Sequence, residues 1–224
     1  SPDGKVALLA LVNGTTVMRD LETGAVIRTL VAHSDSVNTI VFSPDGQTAL
    51  SGSSDYSLVL WDVATGEVIR RMEGHSGDVQ RVTFSPDGQT ALSASYDQQI
   101  IRWDVNTGED LQHYTGHENS VMDVAISPDG KSALSASYDL TAILWDIKTG
   151  EIIHQFTDFT RPVLAVAFHP NGQEAMITND EDIFLVDLTS YTTIRELKGH
   201  SSTLNRAIFG PDGETILSVT GSVE

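Results

Sequence analysis

Serine, histidine and aspartate, the residue types of a hydrolase triad, recur in this sequence at constant offsets. A histidine is followed by a serine 18 residues later, an aspartate 22 residues later and a tryptophan 28 residues later. A nucleophile needs access to substrate and an oxyanion hole, and nothing in the sequence suggests three copies of either. Repetition therefore favours a structural role, and no catalytic residue is predicted. The three sets are His33, Ser51, Asp55 and Trp61; His75, Ser93, Asp97 and Trp103; and His117, Ser135, Asp139 and Trp145.

A 42-residue period positions these residues. Ser-Pro-Asp-Gly begins at Ser1, Ser43, Ser85 and Ser127, and the variants HPNG and GPDG begin at His169 and Gly210. Trp-Asp and Gly-His follow the same spacing. Three independent series on one period identify an internal repeat.

Each 42-residue repeat is predicted to contain four β-strands. Residues 79–116 hold four short runs rich in β-branched and aromatic residues, separated by Pro-Asp-Gly and Thr-Gly turns. Proline presets φ at the second turn position, and glycine accepts the positive φ that reverses the chain. No stretch sustains a helical period. Four antiparallel strands in a unit of about 40 residues are typical of a β-propeller blade.

With these motifs in order, the chain resembles the WD-repeat family over essentially its whole length. The resemblance implies an all-β fold, a β-propeller of four-stranded antiparallel blades. In that family the histidine, serine, aspartate and tryptophan of each unit form a hydrogen-bonded tetrad, so the three sets named above are assigned as structural tetrads. A closed network would also satisfy the buried imidazole, hydroxyl and indole groups. We expect one WD-repeat region over residues 1–224, with five repeats and part of a sixth, incomplete blades at both ends, and a portion of a six- to eight-bladed propeller.

Two of the repeats depart from the pattern of the tetrad. The first has Leu9, Asn13 and Arg19 where serine, aspartate and tryptophan would stand. The fifth has Phe159, Ile177 and Val186 in place of histidine, serine and tryptophan. We expect apolar packing to replace the tetrad in both. Arg102 also departs, because it stands where the neighbouring units have Leu60 and Leu144; its guanidinium needs a carboxylate or must extend to solvent.

Composition excludes several function classes. Lys+Arg is 13 against Asp+Glu 31, a formal net charge of -18 that repels nucleic acid and anionic lipid. No apolar run is long enough to span a membrane, and the first residues lack the features of a signal peptide. The chain has no cysteine and no phosphate-loop, dinucleotide or metal-ligand motif, so neither cofactor nor metal is predicted. The acidic run NDED at Asn179–Asp182 is read as a solvated loop rather than a cation site.

Partner-binding residues are predicted by analogy with the family, whose propellers present variable side chains on one face. The relevant positions are the third and fifth residues after the histidine and the residue before the tetrad aspartate. Exposed aromatic side chains are favoured interface anchors, which singles out the tyrosines. The candidates are Asn38, Ser54, Asp78, Gln80, Tyr96, Met122 and Tyr138.

The function predicted from the sequence is a non-catalytic interaction platform that binds a protein partner or another domain of the same longer chain. One alternative is a partner- or ligand-sensing WD-repeat domain of a larger signalling ATPase or kinase. Another is a propeller enzyme or carbohydrate binder that uses the central channel. Because one fold serves many functions, the identity of the partner depends on the binding residues rather than on the fold.

Overall fold

The protein consists of short β-strands joined by tight turns. A computed structural model describes residues 1–200 and 202–220, and this part of the chain contains 21 strands and no helix. The strands form six antiparallel sheets, here called blades 1 to 6 in chain order. The sequence predicted both the all-β fold class and the four-stranded blades correctly.

Each strand pairs with the next strand along the chain in its own blade. Blade 1 contains β1 (Val6–Ala10), β2 (Thr15–Asp20) and β3 (Val26–Val31). Blade 2 contains β4 (Val37–Phe42), β5 (Thr48–Ser53), β6 (Ser57–Asp62) and β7 (Val68–Glu73). Blade 3 contains β8 (Val79–Phe84), β9 (Thr90–Ser95), β10 (Ile100–Asp104) and β11 (Asp110–Tyr114). Blade 4 contains β12 (Val121–Ile126), β13 (Ser132–Ser137), β14 (Ala142–Asp146) and β15 (Ile152–Phe156). Blade 5 contains β16 (Ala165–Phe168), β17 (Glu174–Thr178), β18 (Ile183–Asp187) and β19 (Thr192–Leu197), and blade 6 contains β20 (Leu204–Phe209) and β21 (Ile216–Thr220).

The turn between the first two strands of blade 2 shows why Ser-Pro-Asp-Gly recurs. Ser43 Oγ donates to Asp45 Oδ1 at 2.6 Å, and the amide of Gly46 donates to the Ser43 carbonyl at 2.9 Å. Gly46 has φ 72°, a left-handed conformation that costs other residues about 1–2 kcal/mol. The serine, aspartate and glycine each supply one element of the reversal, so the turn is repeated with the blade.

Two compact units divide the chain, residues 1–113 and residues 114–224, called unit 1 and unit 2. Strand β11 crosses the boundary between them. In unit 1, Leu60 and Met72 of blade 2 cluster with Val82 and Trp103 of blade 3. Burying one such side chain contributes about 1.5–3 kcal/mol. The single WD-repeat region predicted over residues 1–224 stays a prediction.

Unit 2 has an apolar core of its own. Leu134 and Leu144 of blade 4 cluster with Val166, Ile177 and Val186 of blade 5. All five side chains are buried. Adjacent blades in each unit are therefore held together by interdigitated side chains.

At one edge, long side chains from a fourth strand cover a turn of the next blade. In unit 1, Arg70 Nη2 donates to the Asn106 carbonyl at 2.8 Å, and a Cβ added at Gly108 would overlap Arg70 Cδ. In unit 2, His154 stacks flat on Tyr191, with ring centroids 4.2 Å apart and planes 5° apart. Tyr191 has φ 57° and occupies the place of the turn glycine. The degenerate fifth blade thus replaces an arginine–glycine contact with an aromatic stack.

Candidate functional site

The other edge of blades 2, 3 and 4 carries the histidine and the aspartate. It is formed by the connection into the first strand and by the turn between the second and third strands, and we call it the tetrad edge. In blade 2 these segments are residues 32–36 and 54–56. The Ser54 amide donates to the Ser36 carbonyl at 2.9 Å, which ties the two segments together.

The structure brings the four residues of each assigned tetrad into one chain of hydrogen bonds. In blade 2, Trp61 Nε1 donates to Ser51 Oγ at 2.9 Å, and Ser51 Oγ lies 2.8 Å from His33 Nε2. His33 Nδ1 lies 3.0 Å from Asp55 Oδ2. The same three distances are 2.8, 2.7 and 2.8 Å in blade 3 and 2.8, 2.7 and 2.7 Å in blade 4.

This geometry assigns the protons. The carboxylate of Asp55 accepts from Nδ1–H of His33, so Nε2 is left to accept the Ser51 hydroxyl proton. Ser51 Oγ then accepts from the Trp61 indole. Burial lowers the pKa of His33 more than its hydrogen bond to Asp55 raises it, so the imidazole is neutral near pH 7. The indole, hydroxyl, imidazole and carboxylate groups of this tetrad therefore all have hydrogen-bond partners without a charged histidine.

The tetrad aspartates are held ionised. Burial alone would raise the pKa of Asp55, but hydrogen bonds from Ser57, from the Ser34 amide and from His33 hold it well below its usual value. The pKa of Asp139 is lowered against burial by His117, by Thr141 and by the Glu118 amide. Asp97 shows the same direction, with burial opposed chiefly by its hydrogen bond from His75. Each tetrad therefore contains a carboxylate that its hydrogen bonds hold ionised.

Ser51, Ser93 and Ser135 have the hydrogen bonds of triad nucleophiles but not the access. All three are 0% exposed, and each Oγ accepts an indole N–H. A nucleophile must reach a substrate carbonyl, which these side chains cannot do. The arrangement satisfies buried polar groups, as a structural network does.

In blade 2 a fifth residue joins the tetrad network, and the sequence analysis did not predict it. Arg71 Nη1 lies 3.3 Å from Asp55 Oδ2, and the guanidinium also donates to Ser57 Oγ and to the Ala32 carbonyl. The equivalent residue in blade 3 is His113, which lies 2.7 Å from Gln99 Oε1 and does not contact the tetrad aspartate in any described hydrogen bond. The only indication of this contact in the sequence was the long cationic side chain of Arg71 at a position where blade 3 has a histidine.

The degenerate blades behave differently from one another. In blade 5, Phe159, Ile177 and Val186 are buried in one apolar cluster, and Phe159 packs edge-on against Phe184 at 5.2 Å. In blade 1, the expectation of apolar packing was wrong at Leu9, which is exposed. Arg19 of that blade is also exposed and donates to the Gly24 carbonyl, because a charged guanidinium cannot fill a buried indole site.

Blade 6 contains a partial tetrad that was also missed. His200 Nε2 lies 2.8 Å from Ser218 Oγ. The offset of 18 residues equals that between His33 and Ser51, so the period itself contained the signal.

Three of the predicted partner-binding residues form a polar network in unit 1. Asn38 Nδ2 donates to Ser54 Oγ at 3.0 Å and to the Val79 carbonyl at 3.1 Å. Ser54 Oγ donates in turn to Asp78 Oδ2 at 2.8 Å. Asp78 precedes the first strand of blade 3, so the network crosses from one blade to the next and holds these side chains in place.

The other predicted residues lie at the same edge of their blades. Tyr96 and Tyr138 are 41% and 38% exposed, while Gln80 and Met122 are half-buried. The backbone amides of the two tyrosines anchor the turn. Tyr96 N donates to the Asp78 carbonyl and Tyr138 N donates to the Ser120 carbonyl, both at 3.0 Å. Partner binding by these residues stays a prediction.

Three further residues at this edge have left-handed backbone. Tyr56, Gln98 and Leu140 each follow the tetrad aspartate, with φ 69°, 72° and 69°. Tyr56 is 47% exposed and Leu140 is 38% exposed. Glycine or asparagine would adopt this conformation at lower cost. Sequence reasoning overlooked these positions because it ended at the aspartate.

Arg102 is half-buried in the middle of the third strand of blade 3, where it pairs with Leu92 of the second strand. Its charge contributes to the lowered pKa of Asp87, behind the larger effects of hydrogen bonds from Ser85 and Gln89. The positive charge of Arg102 therefore favours the ionised form of Asp87, in the Ser-Pro-Asp-Gly turn of the same blade.

The NDED turn holds an arginine rather than an open set of carboxylates. Arg161 Nη1 lies 2.9 Å from Glu181 Oε1, and Asn179 Oδ1 accepts the amides of Glu181 and Asp182. Across residues 1–200 and 202–220, no group of three or more histidine, aspartate or glutamate side chains is arranged to hold a metal ion. The same residues include no helix of the length and apolarity that a membrane span requires.

Comparison with known families identifies three consecutive repeats. The model described as WD domain, G-beta repeat matches residues 24–62, 66–104 and 108–146, together more than half of the chain. Each matched segment ends at the Trp-Asp pair of an assigned tetrad. A search of curated proteins found no match.

Proposed function

The chain belongs to the WD-repeat family, whose repeats are generally protein–protein interaction modules, and we propose that its tetrad edge binds a protein partner. In this account the blades hold the binding side chains in place, and the chain performs no chemistry of its own. Members of the family are typically non-catalytic. The buried state of Ser51, Ser93 and Ser135 supports the same conclusion.

The observation that carries the proposal is the exposure of Tyr96 and Tyr138. Both precede a tetrad aspartate, and neither occupies one of the four tetrad positions. The equivalent residue of blade 2 is Ser54, so a tyrosine is not needed to form the turn. An exposed tyrosine offers a rigid aromatic surface at low entropic cost, which suits an interface anchor.

The polar network in unit 1 supports the proposal from another direction. Asn38, Ser54 and Asp78 are already held by hydrogen bonds of 2.8–3.1 Å before any partner is present. Binding of a partner to these side chains therefore costs little additional side-chain entropy. Preorganisation of this kind favours specific binding over non-specific adhesion.

Charge supports a protein partner over nucleic acid. The formal net charge of -18 repels phosphate backbones, whose binding rests on lysine and arginine side chains. A protein partner can instead present complementary charge.

The test replaces Tyr96 and Tyr138 together by serine, the residue that blade 2 uses at this position. The wild-type chain and the double variant are used as baits for protein partners, and captured proteins are quantified. We expect the specific partners to be lost from the double variant. The matched control is Leu111→Ser, which removes a 46% exposed apolar side chain from the fourth strand of blade 3. Loss with the control alone, or no loss with the double variant, would refute the proposal.

A further inference from the structure

Leu140 combines two unfavourable features at one position. Its backbone is left-handed, with φ 69°, and its side chain is 38% exposed. A bulky residue in this conformation costs of order 1–3 kcal/mol unless the surroundings compensate. Leu140 is one of the exposed large apolar side chains rather than a buried core residue. The Leu140 side chain therefore contributes little to the stability of the fold, and a role in binding would account for its presence.

Two other apolar residues lie at the same edge of blade 4 as Leu140. Tyr138 stands two residues before it, and Met122 is the bulge residue beside Val121, which pairs with Ser137. The equivalent residues of Met122 and Tyr138 in blade 2, Asn38 and Ser54, are joined by a 3.0 Å hydrogen bond. The repeat therefore places Met122 and Tyr138 side by side. Met122, Tyr138 and Leu140 are called the apolar patch below.

The tetrad-edge segments of blades 4 and 5 are acidic. They are residues 115–120, 138–141, 157–164 and 179–182, and they contain one arginine and six acidic residues, one of which is the tetrad aspartate Asp139. That arginine, Arg161, already pairs with Glu181 at 2.9 Å. Glu118 and Asp158 are exposed, and no described hydrogen bond or ion pair uses their side chains. An apolar centre with acidic flanks calls for a partner of opposite charge.

We infer that the apolar patch binds an extended peptide segment that has an aliphatic or aromatic anchor flanked by lysine or arginine. This inference rests on the proposed function and specifies its partner. The anchor packs on Leu140 and Met122, and a neighbouring cation meets the face of Tyr138 and the carboxylates of Glu118 and Asp158. The acidic surround disfavours acidic peptides as well as nucleic acid, because like charges at an interface are repelled.

A library of short random peptides displayed on phage tests the inference with the full chain as target. Selected peptides are sequenced, and the most enriched one is synthesised with a fluorescent label for affinity measurement. We expect lysine and arginine to be enriched beside one aliphatic or aromatic residue, and binding to weaken as salt is raised. Selection of acidic or uncharged peptides, or the absence of any binder, would overturn the inference.

Two substitutions locate the binding. Leu140→Asn keeps a residue that accepts left-handed backbone while it removes the apolar side chain, and Glu118→Gln removes one flanking charge. We expect Leu140→Asn to raise the Kd of the selected peptide about tenfold, which corresponds to about 1.4 kcal/mol, and Glu118→Gln to raise it less and to reduce its salt dependence. The matched control is Gln98→Asn, at the same repeat position in unit 1, which should leave the Kd unchanged.

Failure of the inference is distinct from failure of the proposed function. Unchanged affinity in both Leu140→Asn and Glu118→Gln would refute the basic-peptide site. The proposed function would still stand if partner capture depended on Tyr96 and Tyr138. Conversely, capture that is indifferent to the two tyrosines would refute the function itself.

Discussion

Tyr138 and Asp139 are adjacent in one turn, yet their side chains have separate surroundings. Asp139 Oδ2 lies 2.7 Å from His117 Nδ1 inside the blade, whereas Tyr138 is 38% exposed at its edge. The aspartate joins the network that recurs in blades 2, 3 and 4, and the tyrosine is absent from that network. One turn therefore contains a residue that stabilises the blade and a residue that is available to a partner.

The tetrad serine should dominate the stability of its blade. Ser93→Ala leaves the Trp103 indole N–H and His75 Nε2 buried without partners. Each unsatisfied group costs about 1–3 kcal/mol, so the free energy of unfolding should fall by about 2–6 kcal/mol. Equilibrium unfolding in urea measures this change. Ser76→Ala, an exposed serine of the same blade, is the control. Equal stability in the two variants would contradict the assigned role.

Acid should destabilise the protein through its tetrads. The folded-state pKa values of Asp55, Asp97 and Asp139 lie below the value of about 3.9 expected for unfolded aspartate. The unfolded chain therefore binds more protons below about pH 5, and the free energy of unfolding falls as pH falls. The lowered pKa of His33 adds to the fall below about pH 6.5, because its unfolded form protonates first.

Asp55→Asn tests that pH dependence directly. The variant cannot titrate at this position, so its free energy of unfolding should change less between pH 5 and pH 3 than that of the wild type. Urea unfolding at several pH values provides the measurement. A slope that is equal to the wild-type slope, or steeper, would be inconsistent with a carboxylate held ionised by His33 and Ser57.

Leu140 should be replaceable without loss of stability. Leu140→Gly removes the cost of a left-handed leucine, about 1–2 kcal/mol, and adds about 0.5–1 kcal/mol of backbone entropy cost. The free energy of unfolding should therefore stay constant or rise by up to about 1.5 kcal/mol. Thermal or urea unfolding decides the matter. A fall of more than about 1 kcal/mol would mean that the side chain contributes to the fold.

Gly108 should tolerate no side chain. It has φ 77°, and a Cβ there would overlap Arg70 Cδ, whose guanidinium donates to the Asn106 carbonyl. Gly108→Ala should lower the free energy of unfolding by about 1–2 kcal/mol. The double variant Gly108→Ala with Arg70→Ala relieves the overlap but not the backbone cost. If Gly108→Ala alone were as stable as the wild type, the covering contact would have no energetic role.

The period in the sequence was enough to predict the strands, their turns and the four-stranded blades. Ser-Pro-Asp-Gly and Thr-Gly mark reversals by local chemistry, so they can be recognised without tertiary contacts. The resemblance assigned His33, Ser51, Asp55 and Trp61 to one group, and the structure places them within hydrogen-bonding distance. Those features depend on one repeat at a time.

What was missed depends on contacts or conformations that vary between repeats. Arg71 reaches Asp55 from the fourth strand, and the period gives no reason for an arginine there. The left-handed φ of Tyr56 and Leu140 is a property of the turn, which residue type alone argued against. Leu9 was predicted to pack in place of a serine, yet the structure leaves it exposed.

The most direct test of the account is photo-crosslinking from the tetrad edge. Benzoylphenylalanine replaces Tyr96 or Tyr138, which keeps an aromatic side chain in the turn, or replaces Leu111 on the fourth strand of blade 3 as the control. We predict that a partner protein is crosslinked from positions 96 and 138 and not from position 111. Crosslinking from position 111 alone, with none from positions 96 and 138, would contradict the assignment of the tetrad edge as the binding surface.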